Sequence, residues 1–241
     1  MAGPIAEVRR FLTAALISPD PGTPVRPKPG PAALRRRRIA VVVTLVVGAV
    51  TLFLALRIEP GDPAFYLTTA VLALVWAGGA VASGPLHLGH SVTRAGRTDG
   101  RAVVQSLVLA GLLLGVFLLG ALVVAQVPFL RAPVIELLDH ARFGVIWLVL
   151  AITVLNGVAE EIFFRGALFS SMPPRRAVLV TTVLYAASTV GSGVPLLVLA
   201  AVVIGAVTGM QRRVTGGVLG PIITHVVWSS GMVLLLPLVL G

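Results

Sequence analysis

Seven runs of apolar residues, at about 39–57, 64–84, 102–126, 143–170, 177–190, 194–211 and 216–240, constrain this chain more than any other feature. Each run ends at charge, proline or glycine. A bilayer core takes ~20 consecutive apolar residues per helix. Lipid offers no partner to unpaired backbone N–H and C=O groups, so runs of this length are helices and not lone strands. The fold expected is all-α: a polytopic membrane helical bundle of about seven transmembrane helices. The fifth run is short, and spans only if part of the flanking "MPPRR" or "GSGVP" joins its helix. With 241 residues, 57% of them hydrophobic, little is left for a separate soluble domain.

Two regions are predicted, a cytoplasmic tail over 1–34 and a transmembrane domain over 35–241. Within the tail, Val8, Phe11, Leu12, Ala15 and Leu16 fall at helical spacing opposite Glu7, Arg9 and Arg10, which predicts a short amphipathic helix on the membrane surface. The stretch "SPDPGTPVRPKPGP" that follows is too rich in proline to pack and reads as a tether. The start makes a poor secretory signal, with a minimal apolar core and no small-residue cleavage site.

The net charge of +10 does not point to nucleic acid, because the arginines sit in short segments between apolar runs and no stacking aromatics accompany them. Arg35 to Arg38, then Arg94, Arg97 and Arg101, then Arg175 and Arg176, then Arg212 and Arg213 all fall on one side of a seven-helix arrangement. The alternate connections carry Glu59 and Asp62, or the mixed set Arg131, Glu136, Asp139 and Arg142, or no charge. The charge rule for membrane loops makes the basic side cytoplasmic, in a cell-membrane protein whose N-terminus is inside. Cysteine is absent, which excludes disulfides, thiolate metal sites and a nucleophilic thiol.

Few ionisable groups remain at depth: Glu160, Glu161, Arg165 and His225. A charge at the bilayer centre costs ~2.5 kcal/mol even on the most lenient scale, so these groups are expected to face inward and find partners. Glu161 and Arg165, four apart, share a helix face and can form an ion pair. Glu160 is turned ~100° from its neighbour, free to meet another helix. His225 lies at a similar depth on the last helix and is the candidate for that meeting. On spacing alone, a catalytic group and a buried polar latch remain equally open readings.

The stretch "EEIFFR" fits the EExxxR motif of the CPBP intramembrane proteases, the CAAX-protease and bacteriocin-processing or Abi family, and residues 145–236 resemble that family's core. "LYAAST" aligns with its FxxxH motif and "HVVWS" with its HxxxN motif. The resemblance implies that Glu160 activates water for attack on a peptide carbonyl, that Glu161 and Arg165 support it, and that His225 helps hold the oxyanion. The pattern breaks at two motifs. Tyr185 and Thr189 stand where the family has phenylalanine and histidine, and Ser229 stands where it has asparagine. Thr189 and Ser229 therefore complete the candidate catalytic set in altered form.

A buried glutamate can deprotonate water without the missing histidine, at a loss of the ~10²- to 10⁴-fold that a positioned acid–base partner contributes. A serine hydroxyl one turn beyond His225 can still donate to an oxyanion. A catalytic zinc wants three protein ligands, which Glu160, Glu161 and His225 with a threonine nearby supply poorly, so a divalent metal, though open, is disfavoured and no cofactor is expected. His87, His90 and His140 read as ordinary loop residues, and Trp76, Trp147 and Trp228 as packing or interfacial groups. The glycine pairs Gly111 with Gly115 and Gly205 with Gly209 read as sites of close helix approach. No serine-protease elbow or serine–lysine pair is present. Two functions are left: an endopeptidase cutting a membrane-associated peptide or protein near the cytoplasmic side, or a catalytically weakened member that binds membrane proteins as an immunity or assembly factor. A transporter would need charge across both leaflets, and the outer half carries none.

Overall fold

The computed structural model describes residues 3–17, 30–89, 100–143 and 145–240, and within them the fold is a bundle of α-helices. The proline-rich stretch 18–29 and the segment holding His90, Arg94 and Arg97 lie outside the described residues. The helices are α1 Pro4–Leu16, α2 Pro31–Ala55, α3 Pro63–Ala82, α4 Gly100–Val124 and α5 Pro128–Arg142. They continue as α6 Ile146–Ser171, α7 Pro174–Thr189, α8 Pro195–Thr215 and α9 Leu219–Leu240. Six of them, α2, α3, α4, α6, α8 and α9, are long and apolar enough to cross a membrane. α7 is the short fifth run. It starts at Pro174, inside "MPPRR", and a 3₁₀ turn at Val190–Ser192 lengthens it, so both flanks join the helical layer.

Local chemistry sets the helix ends. Proline occupies the first turn of α2, α3, α7 and α8, where its missing N–H costs nothing. The Asp62 side chain accepts a hydrogen bond from Ala64 N at 2.8 Å and caps α3. Gly216, with φ +67°, stops α8.

Apolar side chains cover the outside. Val42, Val46, Leu74, Val104, Val116, Leu119 and Leu234 are exposed, as a lipid-facing surface requires, whereas Glu161, Arg165, Thr181, Thr208, Gln211 and Thr224 are fully buried. Association in lipid rests on close packing and interhelical hydrogen bonds rather than on hiding apolar surface. The main core centres on α6, where Trp76 of α3 meets the rings of Phe163 and Phe164 at 4.8 and 5.1 Å. α6 packs against α3 on one side and α9 on the other, α9 also against α4, and α7 against α8.

The arginine-bearing ends gather at one end of the bundle. Arg37, first met as part of a charge cluster, donates through Nε to Ser83 O at 3.2 Å and through Nη2 to Pro85 O at 3.1 Å, tying α2 to the exit of α3. The segment after α3 then lies along the α8–α9 turn: Val218 N donates to His87 O at 3.1 Å and Leu219 N to Leu88 O at 3.0 Å. Gly89 and Gly217 make this approach possible, since a Cβ on either would collide with the backbone of the other.

Two expectations change and a third holds. The connection 127–142, read as a loop of mixed charge, is the amphipathic helix α5, held across the opposite end by Arg131 Nη2 on Leu240 O at 2.8 Å and by His140 Nε2, 3.0 Å from Ile58 O. Gly111 and Gly115 face open space, so no described helix uses their approach. Gly205 and Gly209 do pack, against Thr182 and Val178 of α7.

Candidate active site

α6 carries both carboxylates at the point where its winding changes. Ile162–Leu168 is a π-helical segment immediately after Glu161, and Phe163 to Leu168 are all buried in it. Such widened turns are rare and are frequently found at functional sites. Here the segment keeps Arg165 beside Glu161, with Nη1 3.1 Å from Oε1 and both side chains wholly buried. The i,i+4 ion pair expected from spacing is present.

His225 does not meet Glu160 as expected from depth. Its Nδ1 lies 2.8 Å from Glu161 Oε1, so one carboxylate oxygen takes both the guanidinium and the imidazole. The reason is rotational. Depth along a helix can be counted from sequence, but the direction in which a helix turns its residues depends on its neighbours, and α9 presents His225 to the Glu161 side of α6.

Glu160 is held instead by a residue that sequence reasoning left without a role. The Tyr185 hydroxyl on α7 donates to Glu160 Oε2 at 2.6 Å. The tyrosine ring is seated edge-on to Phe164, with centroids 4.8 Å apart, and the Arg165 guanidinium carbon lies 4.9 Å from its centre. A signal was available: Tyr185 falls at helical spacing with Thr181, Thr182, Ser188 and Thr189 on one hydroxyl-bearing face of an apolar run, where a buried phenol needs a partner.

The four candidate catalytic residues come together. Glu160, Thr189, His225 and Ser229 line one cavity of about 210 Å³, with Tyr185, Asn156 and Trp228 among its other walls. Trp228, expected to be a packing or interfacial group, is thus part of the site, its ring 6.2 Å from that of His225. The two altered motif positions spend their hydroxyls locally: Thr189 Oγ1 donates to Ala186 O at 2.8 Å and Ser229 Oγ to Val226 O at 3.2 Å. Asn156, one turn before Glu160, donates to Thr69 O at 3.2 Å and Ile152 O at 3.1 Å, fixing α6 to α3 at the cavity wall.

Behind the cavity, a second polar group joins three helices. Gln211 of α8 donates to Ser106 Oγ of α4 at 2.8 Å and accepts from Thr224 of α9 at 3.0 Å. Arg212 Nε donates to Arg165 O at 2.7 Å, tying α8 to the π segment of α6. Among the described residues, no group of three His, Asp or Glu side chains converges as a metal site.

Residues 142–231, which contain every side chain of this site, match the family model described as Rce1-like, type II CAAX prenyl endopeptidase. The resemblance to the CPBP intramembrane proteases holds over this segment. No curated protein and no solved structure matches the chain. The Rce1-like segment begins at the end of α5 and closes in the middle of α9, so α1 to α4 stand outside it. Together with the six apolar helices, it supports a multi-pass membrane protein and an intramembrane endopeptidase of the CAAX-protease type.

Proposed function

We propose that the chain hydrolyses a peptide bond of a membrane-associated substrate with a water activated by Glu160. The observation that supports this most is the convergence of Glu160, His225, Thr189 and Ser229 on one cavity inside a segment that matches a protease family. Tyr185 fixes Oε2 of Glu160, which assigns the other oxygen to take the proton of water as the hydroxide adds to the carbonyl, and to pass that proton to the leaving nitrogen as the tetrahedral intermediate collapses and the C–N bond breaks. Glu161 and Arg165 are supporting groups: through Nδ1, Glu161 holds the His225 ring so that Nε2 is the nitrogen left for substrate. As imidazolium, His225 donates from Nε2 to the developing oxyanion, and Ser229 adds a second donor by turning from Val226 O. The reading uses no metal and no other cofactor. On this reading the arginine-bearing end is cytoplasmic by the charge rule, and Glu160 and His225 lie nearer that end of α6 and α9.

A weakened member that binds membrane proteins is the second reading, and one observation favours it. Thr189 stands at the histidine position with its hydroxyl committed to Ala186 O, so Glu160 has no imidazole from α7. The test compares wild type, Thr189→His and Glu160→Gln, reconstituted in lipid with a panel of membrane peptides. Thr189→His is expected to raise cleavage, with ~10⁴-fold as the ceiling for a positioned acid–base partner, and Glu160→Gln to abolish it. No cleavage by wild type or Thr189→His, with both proteins folded, would leave the binding reading.

A further inference from the structure

The cavity has a direction. On α6 it runs from Glu160 back to Thr153, on α7 from Tyr185 on to Thr189, on α8 from Ile204 back to Leu197, and on α9 from His225 on to Ser229. Every one of these steps leads away from the arginine-bearing end. Burial falls along the same direction on α8 and α9: Ile204 and His225 are 1% and 6% exposed, whereas Leu197 and Ser229 are only partly buried.

In the other direction the way is closed on all four helices. Glu161 and Arg165 on α6, Thr181 on α7, Thr208 and Gln211 on α8 and Thr224 on α9 are each 0% exposed. Gln211 and Thr224 are joined across helices, as are Glu161 and His225, while Thr181 and Thr208 bond carbonyls of their own helices. This buried layer lies between the cavity and the arginine end, and the cavity's lining does not extend through it.

We infer that the site is reached by water and substrate from the bundle face opposite the arginine clusters, the face that carries Glu59. With the arginines facing inward, that face is the external one. The scissile bond then belongs to a chain presented outside or lowered from that side into the membrane. The walls contributed by Gly157, Ala200 and Ala201 are small, and a cavity of about 210 Å³ has no room for a helix, so the bound segment is extended. α5 borders the opening, because Leu197 also packs in the cluster that holds Val134 and Leu138 of α5. The hydrolase reading enters this inference only through what fills the cavity.

The absence of cysteine makes a direct test possible. Single cysteines are introduced as Thr153→Cys and Ala200→Cys in the cavity, Thr208→Cys in the closed layer, and Glu59→Cys and Arg36→Cys as markers of the two faces. A charged, impermeant methanethiosulfonate is applied to intact cells and, separately, to inverted vesicles. Thr153→Cys and Ala200→Cys are expected to label in whichever preparation labels Glu59→Cys and to lose labelling in the one that labels Arg36→Cys, while Thr208→Cys labels in neither. Cavity labelling that follows Arg36→Cys, or that is absent from both preparations in a protein eluting as folded, overturns the inference. A failed cleavage assay leaves it standing, since the readout is access alone.

Discussion

Glu160 and Glu161 are neighbours in sequence and belong to different regions of the molecule. Glu161 sits in the closed layer, wholly buried, with one oxygen shared by Arg165 and His225. Glu160 faces the cavity, held at one oxygen by a neutral phenol. The difference shows how a membrane bundle keeps a reactive carboxylate. The carboxylate that serves structure gets a guanidinium on its own helix and an imidazole from α9, and the one assigned to chemistry gets a neutral donor and open space.

The sharpest way to break this comparison is to remove each carboxylate in turn. Glu160→Gln keeps an acceptor for Tyr185, so its thermal stability in detergent is expected to match wild type, while any hydrolysis falls by the ~10²- to 10⁴-fold of a lost general base. Glu161→Ala leaves the buried Arg165 and His225 without their counter-charge, at a cost of ~3 to 5 kcal/mol, and is expected to accumulate poorly and melt early. Equal stability of the two variants would erase the distinction between the regions.

Tyr185→Phe sharpens it. The ring contacts with Phe164 and Arg165 survive, and only the bond to Glu160 is lost. A hydrogen bond to a charged group is worth ~1.5 to 3 kcal/mol, so kcat is expected to fall roughly 10- to 100-fold with KM little changed. A change in KM alone, read from steady-state cleavage of a reconstituted peptide substrate, would make Tyr185 a wall and not a support.

The smallest effect separates the two glycine pairs. A Cβ at Gly205 lies 3.1 Å from Thr182 Cγ2 and 3.5 Å from Arg165 Nη2, so Gly205→Ala strains the closed layer by ~1 kcal/mol or more. Gly111→Ala meets no described atom within 4 Å and is expected to leave the melting temperature unchanged or slightly raised. A melting curve that drops for Gly111→Ala and not for Gly205→Ala would reverse which helix face is packed.

What sequence reveals here depends on whether the information is local. Six spanning helices follow from run length, because lipid forces an apolar run of sufficient length to be helical. The Glu161–Arg165 pair follows from spacing within one helix. α5 was hidden because its apolar positions are interleaved with Arg131, Glu136, Asp139 and Arg142 and interrupted by Pro133, a pattern that reads equally well as a loop. The choice of Glu161 by His225, and of Glu160 by Tyr185, is set by how α7 and α9 are rotated against α6. No single helix encodes that rotation, so it appears only once the bundle is built.

The crossing of Gly89 over Gly217 bears on the order of biosynthesis. Helices enter the membrane as they are made, and the exit of α3 finds its backbone partners, Val218 and Leu219, only when the α8–α9 turn arrives. The same final helix brings His225 to Glu161. Until α9 is inserted, α6 therefore waits in lipid with an incompletely partnered carboxylate, and the segment after α3 waits for the bonds from Val218 N and Leu219 N. A chain interrupted before α9 would display both defects, which makes completion of the last helix the step at which this protein becomes distinguishable from a misassembled one.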